Sequence, residues 1–173
     1  MHALLALGAP TFELQRTQWV PRDINEVFAF FEDPQNLPKI TPPSLGFKIL
    51  SMTPDHIDTG TLITYRLKWN GIPYRWITLI KEWAKNERFV DTQISGPYIL
   101  WHHTHTFEAI DDGVLLKDVV RYRLPFGPIG VLMHRMFVKK QLEAIFDYRI
   151  QKIGQLLSDG NSYSTSPGQL DSP

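Results

Sequence analysis

Two histidines spaced His-x-His lie in the stretch Trp101-His102-His103-Thr104-His105-Thr106-Phe107, and Asp118 follows on what reads as the partner strand. An imidazole changes charge near neutral pH and serves as base, acid or metal ligand. A carboxylate beside it can orient the ring and fix its tautomer. Alternation along a strand puts His103 and His105 on one face. Four kinds of chemistry fit this set. Asp118 could accept from a histidine in a structural network in which Gln93 bridges strands. The same groups could be the polar spot of an aromatic-walled ligand pocket. His103 or His105 could act as acid or base with Asp118 orienting it, which makes these three the catalytic candidates. Or the two histidines and Asp118 could hold a metal. No longer ligand motif accompanies them, and no metal is assigned. The sequence also has no phosphate loop, no Gly-x-Ser-x-Gly elbow and no HExxH, and no cofactor is expected.

The elements that must position these groups follow from periodicity. Phe12 to Val20 reads as a strand ended by Pro21. Asp23-Ile-Asn-Glu26 has the form of a capping box, and Ile24, Val27, Phe28 and Phe31 share the face of a short helix that Pro34 stops. Gln35 to Gly46, with three prolines, suits a helical turn plus loop. Strands are expected over Phe47–Met52, on both sides of Asn70-Gly71, over Arg88–Ile94, and over Ile99–Ala109 and Val114–Leu124. From Ile129 to Leu157 the pattern is helical, with Leu132, Met136, Leu142, Ile145, Phe146, Ile153 and Leu156 in one stripe. Such a helix would be about 40 Å long, enough to cross a whole sheet. A meander cannot bury one face alone, so the helix is its natural cover.

Turn chemistry sets which side chains share the covered face. Asn70-Gly71 is the strongest two-residue hairpin signal, and it pairs Leu67 with Tyr74, Tyr65 with Trp76 and Ile63 with Thr78. The opposite phase carries Arg66, Lys68, Arg75 and Lys81. A turn at Asp112-Gly113 pairs Phe107 with Asp118, His105 with Val120 and His103 with Tyr122. It sends Lys117, Arg121 and Arg123 outward, with His102 and Glu108. A Lys85-Asn86 turn places Phe89, Asp91 and Gln93 inside, opposite Glu82, Ile80 and Thr78. The expected site is therefore Tyr65, Trp76, Thr78, Asp91, Gln93, Trp101, His103, His105, Asp118 and Tyr122, with Glu82 nearby. The segments Leu37–Gly46 and Pro125-Phe-Gly-Pro128 would rim its mouth, while His134 and Arg135 are expected at the surface or at that mouth.

The 173 residues suit one domain, and equal numbers of Lys+Arg and Asp+Glu, 18 each, give no net field toward nucleic acid or an anionic membrane. No run is long enough to cross a bilayer. The absence of cysteine removes thiol chemistry and fits a reducing cytoplasm, the expected location. The apolar start Met1–Pro10 is short, has no Lys or Arg before it and runs straight into strand-like sequence, so a frayed or sheet-edge N-terminus rather than a secretory leader is expected. The domain is bounded at 12–157, with 1–11 loosely ordered and the polar tail 158–173 disordered.

Several motifs together resemble the START-like, helix-grip (SRPBCC) superfamily, and most closely its bacterial ligand-binding polyketide cyclase/dehydrase-like branch. They are Phe89-x-Asp91-x-Gln93-x-x-Gly96-Pro97, Trp101-x-His103-x-His105-x-Phe107, Asp118-x-Val120-x-Tyr122-x-Leu124-Pro-Phe-Gly127-Pro-Ile-Gly130 and Phe146-Asp-Tyr-Arg149. The resemblance implies an α+β fold: a curved antiparallel sheet of six to seven strands around a long C-terminal helix, with a hydrophobic cavity between them. It implies binding of a lipid-, sterol- or polyketide-like small molecule. A cyclase/dehydratase-type enzyme using a His–Asp pair is the alternative, and a protein-interaction module with a filled core is another. It transfers no catalytic residue and names no protein partner.

Overall fold

The computed structural model describes residues 9–69 and 71–158. The expectations for the extreme N-terminus and the polar tail fall on 1–8 and 159–173, outside the described residues, as does Asn70 of the first hairpin. The elements in order are β1 (Phe12–Val20), α1 (Ile24–Glu32), 3-10 turns at Pro34–Ile40 and Pro43–Leu45, and β2 (Lys48–Thr53). Then come β3 (Leu62–Trp69), β4 (Ile72–Ala84), β5 (Arg88–Ser95), β6 (Leu100–Ile110) and β7 (Gly113–Arg123). The chain finishes with α2 (Gly127–Met133), a π-turn at His134–Val138 and α3 (Lys139–Ser158).

All seven strands form one antiparallel sheet in the order β1-β7-β6-β5-β4-β3-β2. The first strand returns to pair with the last, Phe12 opposite Tyr122 and Val20 opposite Val114, so the meander grows away from β1. The sheet curves around the C-terminal helix, the helix-grip arrangement that the sequence motifs imply. Asp23 caps α1 by accepting from the Asn25 backbone N–H at 2.8 Å, and Asp33 caps the next turn by accepting from Gln35 at 2.9 Å. α1 lays Val27, Phe28 and Phe30 against Phe89, Phe107, Leu116 and the end of α3, closing one end of the sheet.

The helix is held at its edges. α3 packs against β1 on one side and the Pro34–Ile40 turn on the other. Gln18 Nε2 donates to Ile150 O at 2.9 Å, and Arg16 pairs with Asp147 at 2.8 Å. Arg22 Nε donates to Leu157 O at 2.6 Å, satisfying a carbonyl of the last turn that has no partner within the helix. A second apolar cluster, Leu14, Val120, Tyr122, Val138, Leu142 and Phe146, fixes the start of α3 over β1 and β7.

The register corrects three expectations. In the β6–β7 hairpin Ile110 pairs with Gly113, so the turn is Asp111-Asp112, with Asp111 in the left-handed region (φ 49°), rather than Asp112-Gly113. Each pairing shifts by two residues: His105 opposes Asp118, His103 opposes Val120, Trp101 opposes Tyr122 and Phe107 opposes Leu116. Gly113 is a glycine for another reason. A Cβ there would lie 2.5 Å from Val20 O and 2.7 Å from Trp19 Nε1, so it is the point where β1 crosses close.

The β4–β5 connection has three residues, with Asn86 left-handed (φ 62°) and Glu87 N bonded to Ala84 O at 3.0 Å. Phe89 thus opposes Trp83. A bulge at Lys81 restores the expected Ile80–Asp91 and Thr78–Gln93 pairs. The bulge also turns Glu82 to the outer face, where its carboxylate accepts from Arg88 Nε at 2.7 Å. Lastly, the stripe does not extend back to Leu132 and Met136, which are exposed. The π-turn, closed by Lys139 N onto His134 O, puts His134 and Val138 inward instead.

The close crossing of β1 yields a stability prediction. Gly113→Ala should cost about 1–3 kcal/mol by forcing β1 away, whereas Asp112→Ala in the turn should change stability by less than about 0.5 kcal/mol. Urea unfolding of the two variants checks this, and equal losses would contradict the assignment.

Candidate functional site

Because α3 is held at the sheet's edges, the inner face of the middle strands is left uncovered, and a cavity of about 710 Å³ lies there. Pocket-sized spaces for small molecules run from roughly 300 to 1,000 Å³. Its walls are apolar: Ile63, Leu67, Trp76 and Trp101 from the sheet, with Leu142 and Phe146 from α3. Leu37, Ile40 and Leu45 line it from the proline-rich segment and Pro125 and Phe126 from the turn before α2, as expected of rim segments.

Of the expected site residues, Tyr65, Trp76, Thr78, Asp91, Trp101, His103 and His105 line this cavity. Gln93, Asp118 and Tyr122 do not, and each has a supporting place behind it. Gln93 Nε2 donates to Tyr98 O at 2.6 Å, and its Oε1 accepts from Tyr98 N at 3.3 Å, clamping the turn that contains Gly96. Tyr122 is hydrogen-bonded through its hydroxyl to His134 Nε2 at 2.9 Å, and His134 stacks on Phe12 at 3.5 Å. His134 is therefore buried, not a surface group, and it pins the π-turn to β1 and β7. Tyr65 and Thr78 share a short hydroxyl–hydroxyl bond, and Trp76 Nε1 donates to Thr78 Oγ1 at 3.0 Å.

Asp118 belongs to a closed quartet. Its Oδ1 lies 2.9 Å from His103 Nε2 and 2.6 Å from His105 Nδ1. Asp91 Oδ2 lies 3.3 Å from His103 Nδ1 and 3.1 Å from His105 Nε2. The two rings are held between the carboxylates with centroids 3.6 Å apart. Adjacent strands build the arrangement: Asp91 on β5 is in register with His103 on β6, and His105 with Asp118 on β7. All four side chains are largely buried.

Burial by itself would raise Asp91. The charge of His103 and hydrogen bonds from both rings outweigh it and hold the carboxyl well below the usual range. Asp118 is likewise held low, burial being overcome by the charge of His105 and by bonds from both rings. Burial opposes charge on His103, but the two aspartates win and raise it. Of the four nitrogen–oxygen contacts, His103 Nε2–Asp118 Oδ1 and His105 Nε2–Asp91 Oδ2 have hydrogen-bond geometry. Tyr65 is pushed up by burial and then by the Asp91 charge, so its phenol stays neutral.

Sequence reasoning missed Arg149. It lines the cavity from α3, its guanidinium 5.1 Å from the Phe146 ring centre, and its buried Nε makes no hydrogen bond. The signal was available: Arg149 falls three residues after Phe146 and four after Ile145, a cation interrupting the apolar stripe. Tyr74 and Tyr98 also face the cavity, both raised by burial, Tyr74 to about 12.

The family described as polyketide cyclase / dehydrase and lipid transport matches residues 20–149. No curated protein matches the sequence. Among solved structures, protein Ms6760 from Mycobacterium smegmatis superposes with a TM-score of 0.63 at 17% identity, covering 86% of this chain and 92% of that one. Norcoclaurine synthase from Thalictrum flavum gives 0.68 at 13% identity, covering 92% and 93%. The di-domain ARO/CYC StfQ from the steffimycin biosynthetic pathway gives 0.69 at 11%, covering 86% of this chain and 51% of that one. At these identities the likeness is one of fold. Among the described residues no helix is long and apolar enough to cross a membrane.

Two predictions follow from the geometry. Asp91 and Asp118 share both histidines, so Asp91→Asn and Asp118→Asn should be non-additive by about 1–3 kcal/mol in a double-mutant cycle; additive losses would mean independent pairs. His134 is lowered, first by burial and then by Lys139 and Arg135. The unfolded chain then binds the proton more readily, so its contribution is full above the ordinary value of 6.5 and is lost as pH falls below it. Between pH 7 and 5 the wild type should lose more stability than His134→Gln in parallel denaturant titrations. Parallel curves would contradict the assignment.

Proposed function

The chain belongs to the polyketide cyclase/dehydrase and lipid transport family, and from that premise we propose that it binds a small, largely hydrophobic molecule of lipid-, sterol- or polyketide-like character in the cavity between sheet and α3. The cavity itself carries this reading. Protein interiors are close-packed, with few voids larger than a water molecule. A space of about 710 Å³ walled by aromatic and aliphatic side chains has room for roughly two dozen waters at the liquid share of each. Such water makes few hydrogen bonds to these walls, and its release to bulk favours an apolar occupant. Trp76, Trp101 and Tyr65 would flank the apolar body. Thr78, Asp91, His103, His105 and Arg149 gather the cavity's polar groups and would orient an oxygen-bearing end. Gln93, Asp118 and Tyr122 would support these groups from behind.

One observation favours a second reading, cyclase or dehydratase chemistry: His103 and His105 are open to the cavity and each is also hydrogen-bonded to a carboxylate, His103 to Asp118 and His105 to Asp91. On the first reading a bound molecule leaves unchanged; on the second it leaves as a different product.

Filling the space tests the proposal. Leu67→Trp adds an indole to a buried cavity wall. It should cut uptake of an apolar naphthalene fluorophore at least tenfold while the far-ultraviolet circular dichroism is kept. Native mass spectra of the wild type should carry an organic adduct that denaturation removes. Equal fluorophore uptake by both proteins, or none by either, would refute binding in this cavity.

A further inference from the structure

We propose that Asp91, His103 and His105 form a binding site for one divalent first-row transition-metal ion, with Asp118 holding both imidazoles from behind and the remaining coordination positions open to the cavity. The two corners of the quartet are not equivalent, and this asymmetry points to the ion. At the Asp118 corner His103 Nε2 is hydrogen-bonded to Oδ1 at 2.9 Å, and His105 Nδ1 lies 2.6 Å from the same oxygen. The other nitrogen of each ring, His103 Nδ1 and His105 Nε2, lies nearest the same oxygen, Asp91 Oδ2.

At the Asp91 corner the contacts are longer, 3.3 and 3.1 Å. Bonds of about 2.0 Å to a tetrahedral ion imply ligand–ligand separations of about 3.3 Å. One ligand atom from each of Asp91, His103 and His105 lies within 4.8 Å of the other two. Small side-chain rotations on three rigid positions would bring them to one ion. Two are on β6 and one on β5, in the middle of the sheet.

Charge favours the ion too. Asp91 and Asp118 place two buried carboxylates around one pair of rings, and buried charge must be compensated. One divalent ion puts two positive charges at a single point between its ligands. Asp118 then has the part that an outer carboxylate commonly has in metal centres, accepting from the far N–H of a ligating histidine. Here one carboxylate lies within reach of both rings.

The set leaves coordination free. Three protein ligands with an open position is the form of a site that also holds water or an oxygen of a bound molecule. Asp91, His103 and His105 line the cavity and Asp118 does not, so the open side faces the space where the occupant would lie. Two imidazoles and one carboxylate suit zinc or iron(II) and give calcium or magnesium too few oxygens. The spacing His103-x-His105 suggested Asp118 as third ligand; the geometry gives that place to Asp91.

The test uses the full, untagged chain freed of metal by chelator and titrated with Zn²⁺ alone in a calorimeter, with cobalt(II) absorption as an independent readout. The expected result is one ion per chain and visible cobalt bands of a low-coordinate nitrogen–oxygen site. His105→Gln and Asp91→Ala should weaken binding at least about a hundredfold, and Asp118→Asn about ten- to a hundredfold. His102→Ala on the outer face and the exposed His56→Ala should bind as the wild type does. Folding of each variant is followed by circular dichroism, and the wild-type cobalt spectrum decides the matter should a variant fail to fold. Substoichiometric zinc with no cobalt bands overturns the proposal, as does binding that follows His56 or His102. Because the metal is added without any organic molecule, this result is independent of fluorophore uptake.

Discussion

Two carboxylates on the inner face of a sheet are tolerable only if something positive meets them, and the structure depends on that constraint at its centre. An unpaired buried carboxylate costs several kcal/mol after relaxation. Asp91 and Asp118 escape this cost because β6, lying between their strands, carries two histidines two residues apart. Period-two alternation puts both imidazoles on the face that both aspartates occupy. The quartet thereby ties β5, β6 and β7 together through side chains as well as through the backbone ladder. Breaking one corner strands the others, so the four positions behave as a unit.

The cavity is the second consequence of how this chain packs. A helix laid flat on a sheet would bury the middle strands and leave no space. Here the ties to α3 come from β1 and its exit, through Arg16, Gln18 and Arg22, and from the Pro34–Ile40 turn on the opposite side. Two apolar clusters, one at each end of the helix, complete the grip. Aromatic rings on the central strands then line a space in place of a core. The polar quartet sits in that wall, where two histidines and one aspartate meet whatever fills the cavity.

Much of this was legible because strand alternation tolerates some errors. At Asn70-Gly71 the turn residues dictate a two-residue loop, and Tyr65–Trp76 and Ile63–Thr78 pair as that loop requires. At Asp112-Gly113 the glycine misleads, since its smallness serves the crossing of β1, a contact between residues distant in sequence. The resulting shift is two residues, which keeps every side chain on its face while changing its partner. The bulge at Lys81 is an odd shift, and it is the one that moves Glu82 across the sheet. The π-turn has the same character in the helix: one change of local repeat buries His134 and exposes Met136. Arg149 was visible as a break in the stripe, but the cavity that gives it a place is a tertiary feature.

The two aspartates show how far residue type alone falls short of role. Both are acidic, inward and bonded to the same two rings. Asp118 lies on β7 beside β1, with Arg16 as its cross-strand neighbour, and it does not reach the cavity. Asp91 lies on β5, two strands from the covered edge, and its surroundings include the open space. The one that is covered can only position the histidines. The one that is open shares their exposed nitrogens with anything that enters. Strand order therefore decides the division of labour, and strand order here follows from β1 pairing with β7 at the far end of the chain.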